Sequence, residues 1–370
     1  MSYEALGDDD LPLKLRLMGL LWNLGWFVKP NVKLYRYQEG KRTTATFTDI
    51  DVLAIKLLPL QNPITAVCSA KSGKESDSAQ IFWLSGVKSY FGASVAYYLR
   101  SKASLLTAKA LCQKLDIIPL NEEQLQIMEE RFRVRSEAVS SQLDLDTFKK
   151  IHDIFDGLKK IKLALYNYIT ERYWIDPINN QLLRLITAMK DLEDLSLDLG
   201  HKIYLRYYLS ALFAIPLYRL VQTMVTVPSN VVRAELETAL MGGELARSDR
   251  EKMISAVKSY LREFAKLSTT STIEIEKGID FDSEFKRLIG DLSDLVISVV
   301  EHYPQAVYLP RMLDELAFQV ARKPEQAARI EKVALPDLSQ TDWKYAAKLT
   351  RDLLIFLQRI GALPSMESLM

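Results

Sequence analysis

The 370-residue sequence predicts an α/β domain followed by a larger all-α domain. Segments typical of strands and helices alternate in the first third, while helical periodicity runs through the remainder. The chain has only 14 Gly and 13 Pro, a composition that favours helix over a sandwich or barrel. The charged stretch "RFRVR" and the Ser-rich segment after it mark the joint. We therefore expect domains at 1–137 and 138–370.

The first predicted element is a helix within residues 11–27, "LPLKLRLMGLLWNLGWF". Its leucines recur at helical spacing after Pro12, a residue favoured at the start of a helix. This helix should end near Gly25.

Three predicted strands follow. Residues 32–37 alternate apolar and charged side chains, which is typical of a half-exposed strand. Residues 45–57 place Asp49 and Asp51 on the same face, because side chains in a strand repeat every two residues. Residues 64–71 are mostly apolar, which predicts a central strand.

The remaining elements of this third alternate regularly. They are a helix at 79–91, a strand at 93–101, a helix at 104–115, a strand at 116–120 and a helix at 121–132. The order αβββαβαβα predicts an early antiparallel hairpin, then crossover connections, and so a mixed sheet with helices on both faces.

The pattern after the joint is helical almost to the end. Helices are predicted at 145–174, 178–197, 201–225, 229–241, 247–266, 282–302, 308–320, 324–334 and 341–360. The most apolar run, 207–225, is interrupted by Pro216 and Arg219, so we expect a buried helix and no membrane span. The aromatic cluster at 204–213 has a spacing more typical of packing than of a base-stacking surface.

Charge and cysteine content exclude several classes of protein. A net charge of +1 argues against overall attraction to nucleic acid, although it permits a local basic patch. The two cysteines form neither a disulfide framework nor a zinc motif. The acidic N-terminus lacks the features of a signal peptide, which favours a cytoplasmic protein.

Two short motifs suggest a family. "TDIDVLA" (48–54) and "CSAKSG" (68–73), in this order of elements, resemble the PD-(D/E)xK restriction-endonuclease-like superfamily over about residues 10–135. That resemblance implies a phosphodiester-cleaving site in which two carboxylates bind Mg²⁺ and a lysine stabilises negative charge. It assigns the first carboxylate to Asp51 and the lysine to Lys71, while Ser69 stands at the position of the second carboxylate.

The sequence departs from that pattern in a way that predicts a degenerate site without a cofactor. Serine is a neutral and weak metal ligand, and the first helix carries Lys14 and Arg16 where many members have an acid. The nearest acids, 8–10, precede the helix. The alternative is a migrated carboxylate. The catalytic pair Asp51 and Lys71 would then act with Mg²⁺, and the metal ligands would be Asp51, Glu75 and Asp77.

Several polar residues are candidates for nucleic-acid contacts. They are Lys71, Lys74, Gln80, Lys102, Arg131 and Arg133, with Lys109 and Lys114 on a nearby helix. Lysine and arginine contact backbone phosphates, although such residues are also common on solvated helix faces.

The first functional hypothesis is a non-catalytic nuclease-fold protein that acts as a nucleic-acid-binding or assembly subunit of a DNA-processing or anti-phage defence system. The alternatives are a Mg²⁺-dependent DNA endonuclease and a protein-binding scaffold. The helical part lacks catalytic spacing, and its three histidines are far apart in sequence. It should bind protein partners or a second copy of the chain, while DNA remains a possible partner of the whole.

Overall fold

The computed structural model describes residues 10–35, 46–73, 76–101, 105–132, 134, 144–249 and 281–364, together with five residues between 252 and 259. The first part is built in the predicted order. Its elements are α1 (Leu11–Asn23), β1 (Phe27–Tyr35), β2 (Thr46–Leu58), β3 (Gln61–Lys71), α2 (Asp77–Phe91), β4 (Val95–Arg100), α3 (Leu105–Lys114), β5 (Ile118–Asn121) and α4 (Glu122–Arg131).

The five strands form one mixed sheet in the order β1-β2-β3-β4-β5. The pairs β1–β2 and β2–β3 are antiparallel, and Val52 lies opposite both Pro30 and Cys68. The pairs β3–β4 and β4–β5 are parallel, as their helical crossovers require. The predicted α/β domain with a mixed sheet is therefore confirmed at this level.

Helices cover both faces of the sheet. The side chain of Lys14 in α1 reaches Asp51, whereas Trp83 Nε1 in α2 donates a hydrogen bond to Thr48 Oγ1 at 2.9 Å. Thr48 and Asp51 are three residues apart on β2 and so point to opposite faces. The helix α1 therefore lies over one face, where it contacts α4, and α2 lies over the other, where it contacts α3.

The second part is helical. Its helices are α5 (Leu145–Ile161), α6 (Leu163–Thr170), α7 (Ile178–Glu193), α8 (Leu199–Met224), α9 (Val232–Leu240), α10 (Phe281–Glu301), α11 (Tyr303–Ala306), α12 (Leu309–Arg322) and α13 (Gln340–Arg359). Short 3₁₀ turns lie at Arg172–Trp174 and Ile330–Lys332.

The helix α8 is the centre of this part. It contacts α7, α9, α10 and α12, and its side chains are buried without interruption from Tyr204 to Tyr218. The prediction of a buried helix is thus confirmed. Among the described helices, none is long and apolar enough to cross a membrane.

A proline lies inside α8, and the carbonyl group that it leaves unpaired accepts a hydrogen bond from outside the helix. Pro216 lacks the N–H that would bond to the carbonyl of Leu212 four residues earlier. The hydroxyl of Tyr173 donates to Leu212 O at 2.7 Å instead. A buried carbonyl that the proline leaves unpaired is thereby satisfied, and the helix continues through residue 216.

The two parts share one continuous hydrophobic core. Lys29 Nζ of β1 pairs with Asp314 Oδ1 of α12 at 2.5 Å, and both side chains are buried. Arg311 of the same helix donates to the carbonyl oxygen of Trp22 at 2.7 Å. Tyr218 donates to Leu58 O at 2.8 Å, at the end of β2. The helical part therefore packs directly on α1 and the first strands.

Two predicted helices differ from the structure. The segment 145–174 is interrupted at Lys162, whose backbone φ is −141°. The segment 324–334 contains only a 3₁₀ turn, and the side chain of Gln319 bonds to the backbone N and O of Arg329. The expected boundary at 137–138 and most of the helix predicted at 247–266 lie outside the described residues.

Candidate functional site

Asp51 and Lys71 lie together, as the strand pairing predicts. Lys71 Nζ is 3.5 Å from Asp51 Oδ1. The backbone N–H of Ala70 donates to Asp51 Oδ2 at 3.0 Å, which fixes the carboxylate against β3. Asp51 is buried, whereas the side chain of Lys71 is 22 % exposed. The carboxylate of the pair is thus buried, whereas its lysine is partly exposed to solvent.

A second ammonium group lies even closer to Asp51. Lys14 Nζ of α1 is 3.0 Å from Asp51 Oδ1, and the two side chains are only 5 % and 4 % exposed. The same Nζ is 3.5 Å from Asn31 Oδ1 on β1. The ammonium group of a lysine in the first helix therefore lies directly beside the buried carboxylate.

The helix that carries Lys14 is held in place by its neighbour. Arg16, two residues after Lys14, binds Glu129 of α4 through Nε at 3.0 Å and Nη2 at 2.8 Å. Its Nη1 also lies 2.7 Å from Glu122. Two acids on one guanidinium fix the orientation of α1 and, with it, the position of the Lys14 ammonium.

The structure also brings in an acid that the sequence placed before the helix. Asp10 Oδ1 accepts hydrogen bonds from the backbone N–H and from the hydroxyl of Ser72, and Asp10 Oδ2 lies 3.6 Å from Lys71 Nζ. Asp10 directly precedes α1, so it reaches the end of β3 from the entrance of that helix. Lys71 is consequently flanked by two carboxylates, Asp51 and Asp10.

Ser69 remains at the expected position of the second carboxylate. It is fully buried, and its hydroxyl forms no hydrogen bond with the described part of the chain. The neighbouring thiol of Cys68 is also buried, and burial together with the charge of Asp51 raises its pKa well above the usual range. On the face of Asp51, β3 thus contributes a neutral hydroxyl, whereas Cys68 lies opposite Val52 and points to the other face.

The described cations beside Asp51 are two lysines, and both oppose the binding of a divalent metal ion there. Among the described residues, no group of three or more His, Cys, Asp or Glu side chains is placed to hold one. Two unit charges 4 Å apart interact by about 4 kcal/mol at an effective dielectric of 20, and a divalent ion doubles that repulsion from each lysine. Asp51, with Lys14 and Lys71 beside it, is an electrostatically satisfied carboxylate.

Asp77, a proposed substitute ligand, has other partners. It accepts hydrogen bonds from Tyr98 at 2.7 Å and from Arg100 Nε at 2.6 Å. Burial raises the pKa of Asp77, but these two hydrogen bonds and the charge of Arg100 outweigh it and lower the pKa. Arg100 also donates to the carbonyl of Gly73 at 2.7 Å, which ties the end of β4 to the loop after β3.

The candidate nucleic-acid contacts are only partly described. Gln80 is half-buried in the first turns of α2, and Arg131 is exposed in the last turn of α4. Because α2 and α4 lie on opposite faces of the sheet, these two side chains do not share a surface. The candidates Lys74, Lys102 and Arg133 lie outside the described residues, as does Glu75, which was predicted as a metal ligand.

The aromatic cluster of α8 packs internally. Tyr204, Tyr207 and Tyr208 are almost fully buried, and Phe155 contacts two of these rings edge-on. Packing, as favoured by the spacing, is confirmed, and these rings are not a surface on which bases stack.

Comparison of the chain with protein-family models, with curated proteins and with solved structures found no match.

Proposed function

We propose that this protein is a nuclease-like chain without metal-dependent cleavage, working as a nucleic-acid-binding or assembly subunit of a larger DNA-processing system. The observation that carries the proposal is the pair Lys14–Asp51. A buried ammonium 3.0 Å from the carboxylate supplies the positive charge that a metal ion supplies in a cleaving site. The fully buried Ser69 adds no second carboxylate.

The sheet supports the nuclease-like part of the proposal. Asp51 on the second strand and Lys71 on the third meet at 3.5 Å, in the arrangement that the motif resemblance implies. The two strand–helix–strand crossovers that follow also agree with that resemblance. The helical part, which shares its core with the sheet, is proposed to bind protein partners or a second copy of the chain.

One observation favours the alternative, a Mg²⁺-dependent DNA endonuclease. Asp10 adds a carboxylate beside Lys71 and partly replaces the acid that is missing from the first helix. Its Oδ1 is already engaged by Ser72, and its Oδ2 faces Lys71. The test below distinguishes the two functions.

Cleavage of plasmid and single-stranded DNA with Mg²⁺ or Mn²⁺ is the direct test. We expect the wild-type protein and the Asp51→Asn and Lys71→Gln variants to show the same background. Asn keeps the shape of Asp51, so folding is affected less than by truncation. Cleavage by the wild type that Asp51→Asn abolishes would reject the proposal and establish the endonuclease.

Metal binding gives a second readout, measured as loss of the free Mn²⁺ signal in electron paramagnetic resonance. We expect no binding at this site in the wild type. The double variant Lys14→Ser/Ser69→Glu removes the ammonium and adds the missing carboxylate, and it should gain Mn²⁺ binding. The single variant Ser69→Glu is its matched control, because a buried glutamate beside Lys14 should pair with the lysine instead.

A further inference from the structure

The last turns of α12 line a cavity in the helical part of the molecule. Its volume is about 260 Å³. Sites for small molecules begin at about 300 Å³, so this cavity suits a ligand at the small end of that class. One wall is α12 with Lys323, and the other is the chain that returns beside the helix, between Gln326 and Ala334. No lining residue belongs to the sheet, so the cavity is separate from the Asp51 site.

Hydrogen bonds hold the two walls of the cavity in place. The N–H of Arg329 donates to Gln319 Oε1 at 2.9 Å, and Gln319 Nε2 donates to the carbonyl oxygen of Arg329 at 3.3 Å. Farther along the returning chain, Trp343 Nε1 of α13 donates to Val333 O at 3.0 Å. The cavity is therefore preformed, which lowers the entropy that a ligand loses by ordering its site.

A buried ion pair forms the inner end of the cavity. Glu315 is only 3 % exposed, and Arg322 Nη2 lies 2.7 Å from its Oε1. A carboxylate has about four acceptor positions and no donor, so a ligand group at this end has to donate hydrogen bonds. Hydroxyl groups meet that requirement, whereas a second anion would be repelled by Glu315.

The outer end of the cavity is positively charged. Lys323 and Lys332 line it and are exposed, and neither forms an ion pair with another described residue. The acid next to Lys332 does not neutralise it, because Glu331 is bound by Arg351 at 2.8 Å. Two ammonium groups on the lining of one cavity favour a ligand with a doubly charged anionic group.

The carbonyl end of α12 does not cancel this positive charge. The C-terminus of a helix carries a partial negative charge that disfavours anions. Here Lys150 of α5 donates to the carbonyl oxygen of Arg322 at 2.8 Å, and Arg322 Nε donates to Phe318 O at 3.3 Å. Two cations thus engage carbonyl groups of the last turns and offset the dipole.

One class of ligand matches both ends of the cavity. A phosphate group is a good partner for lysine, and the hydroxyl groups of a sugar donate to carboxylates. We propose that this cavity binds a small sugar phosphate, with the phosphate at Lys323 and Lys332 and the hydroxyl groups at Glu315. An acidic peptide matches the lysines alone, because its carboxylates would be repelled by Glu315. The inference is independent of the proposed function.

Isothermal titration calorimetry of the full chain with ribose 5-phosphate and glucose 6-phosphate tests this binding. We expect at least one of the two to bind. Inorganic phosphate and free ribose should each bind at least about tenfold more weakly, because each engages only one end of the cavity. Inorganic phosphate that binds as tightly as the sugar phosphates would overturn the inference and show general attraction of anions.

The charge of the outer end is tested by the variant Lys323→Gln/Lys332→Gln. It removes both ammonium groups and should weaken binding of the sugar phosphate at least about tenfold. The matched control is Lys109→Gln/Lys114→Gln, which removes two exposed lysines of α3 in the sheet part. This control should bind as the wild type does.

The shape of the cavity is tested without any change of charge. Ala327 is exposed and lines the cavity, so Ala327→Phe places a ring in it while both lysines remain. We expect this variant also to lose affinity at least about tenfold, since the ring competes with the sugar for space. Ala110→Phe, at an exposed position of α3, is the matched control and should bind normally.

Three further results would overturn the inference. The first is a wild type that binds neither sugar phosphate. The second is binding that Lys323→Gln/Lys332→Gln weakens but Ala327→Phe leaves intact, which would place the anion on the surface and outside the cavity. The third is a glutamate-rich peptide that binds through the same two lysines while no sugar phosphate binds, which would indicate a protein partner. None of these results depends on whether the Asp51 site cleaves DNA.

Discussion

Lys14 illustrates how one residue decides the character of the site. Its ammonium and the carboxylate of Asp51 are both almost excluded from water, so each depends on the other for compensation. Lys14→Met leaves Asp51 with Lys71, whose Nζ is 3.5 Å away and partly solvated. We expect the free energy of unfolding to fall by about 3 kcal/mol, as for a broken buried pair.

Urea denaturation followed by circular dichroism measures this loss. Lys71→Met is the control, because its side chain is more exposed and its removal should cost less, about 1 kcal/mol. The double variant Lys14→Met/Asp51→Asn should recover part of the stability. Equal losses for Lys14→Met and Lys71→Met would contradict the central role of Lys14.

Residue 25 must be glycine because of its positive φ angle and because a neighbouring carboxylate lies close to its Cα. Its φ is +87°, and an added Cβ would lie 2.7 Å from Asp337 Oδ2, the carboxylate that binds Arg311. Gly25→Ala should therefore lower the free energy of unfolding by about 1–3 kcal/mol. Gly86→Ala is the matched control, because it adds a methyl group in open space on a helix and should be neutral or stabilising by up to about 1 kcal/mol.

Thermal denaturation of the two glycine variants in parallel measures the difference. A Gly25→Ala protein as stable as Gly86→Ala would show that the turn after α1 tolerates a side chain.

Part of the site was predictable residue by residue. Asp51 and Lys71 lie on adjacent strands, and the two-residue period of a strand with antiparallel pairing is enough to bring them together. The contributions of Lys14 and Asp10 depend on how α1 crosses the sheet, which the long-range contact of Arg16 with α4 determines. The sequence feature that points to Asp10 is the run of acidic residues immediately before the helix, which has proline in its first turn.

At the scale of elements, the proline of α8 and the tyrosine beside it form a unit. Tyr173→Phe keeps the ring but leaves the buried Leu212 carbonyl without its donor, so we expect a loss of about 1–3 kcal/mol. In a Pro216→Ala background the helix supplies its own N–H, and the same substitution should cost at least about 1 kcal/mol less.

A double-mutant cycle by urea denaturation measures this coupling. Tyr207→Phe is the control, because the hydroxyl of Tyr207 is buried and has no hydrogen-bond partner within the described residues. Its removal should be neutral or stabilising. Additive effects of Tyr173→Phe and Pro216→Ala would show that the hydroxyl serves another purpose.

Most elements of the first part were predictable because each has a clear period and clear ends. The break at Lys162 was not, since the apolar side chains of α6 continue the helical spacing of α5 across it. The segment 324–334 is rich in helix-forming residues. The side chain of Gln319 nevertheless forms hydrogen bonds with the backbone N and O of Arg329, whose backbone is extended. Tertiary hydrogen bonds that no local pattern encodes override propensity there.

For the whole molecule, the contact between the two parts is charged as well as apolar. The ammonium of Lys29 lies 4.5 Å from the ring centre of Tyr208 and 4.6 Å from that of Phe27, with Asp314 as its ion-pair partner. Burial lowers the pKa of Lys29 and raises the pKa of Asp314, so each group holds its charge only through the other. Sheet and helices should consequently unfold together.

The variants Lys29→Met and Asp314→Leu test this coupling. Each alone leaves an uncompensated buried charge and should lower the free energy of unfolding by about 3–5 kcal/mol. The double variant replaces the pair with apolar groups and should regain most of that stability. Hydrogen exchange in β1 and in α12 should accelerate together in Lys29→Met. Additive losses, or faster exchange confined to β1, would show that the sheet and the helical part are energetically independent.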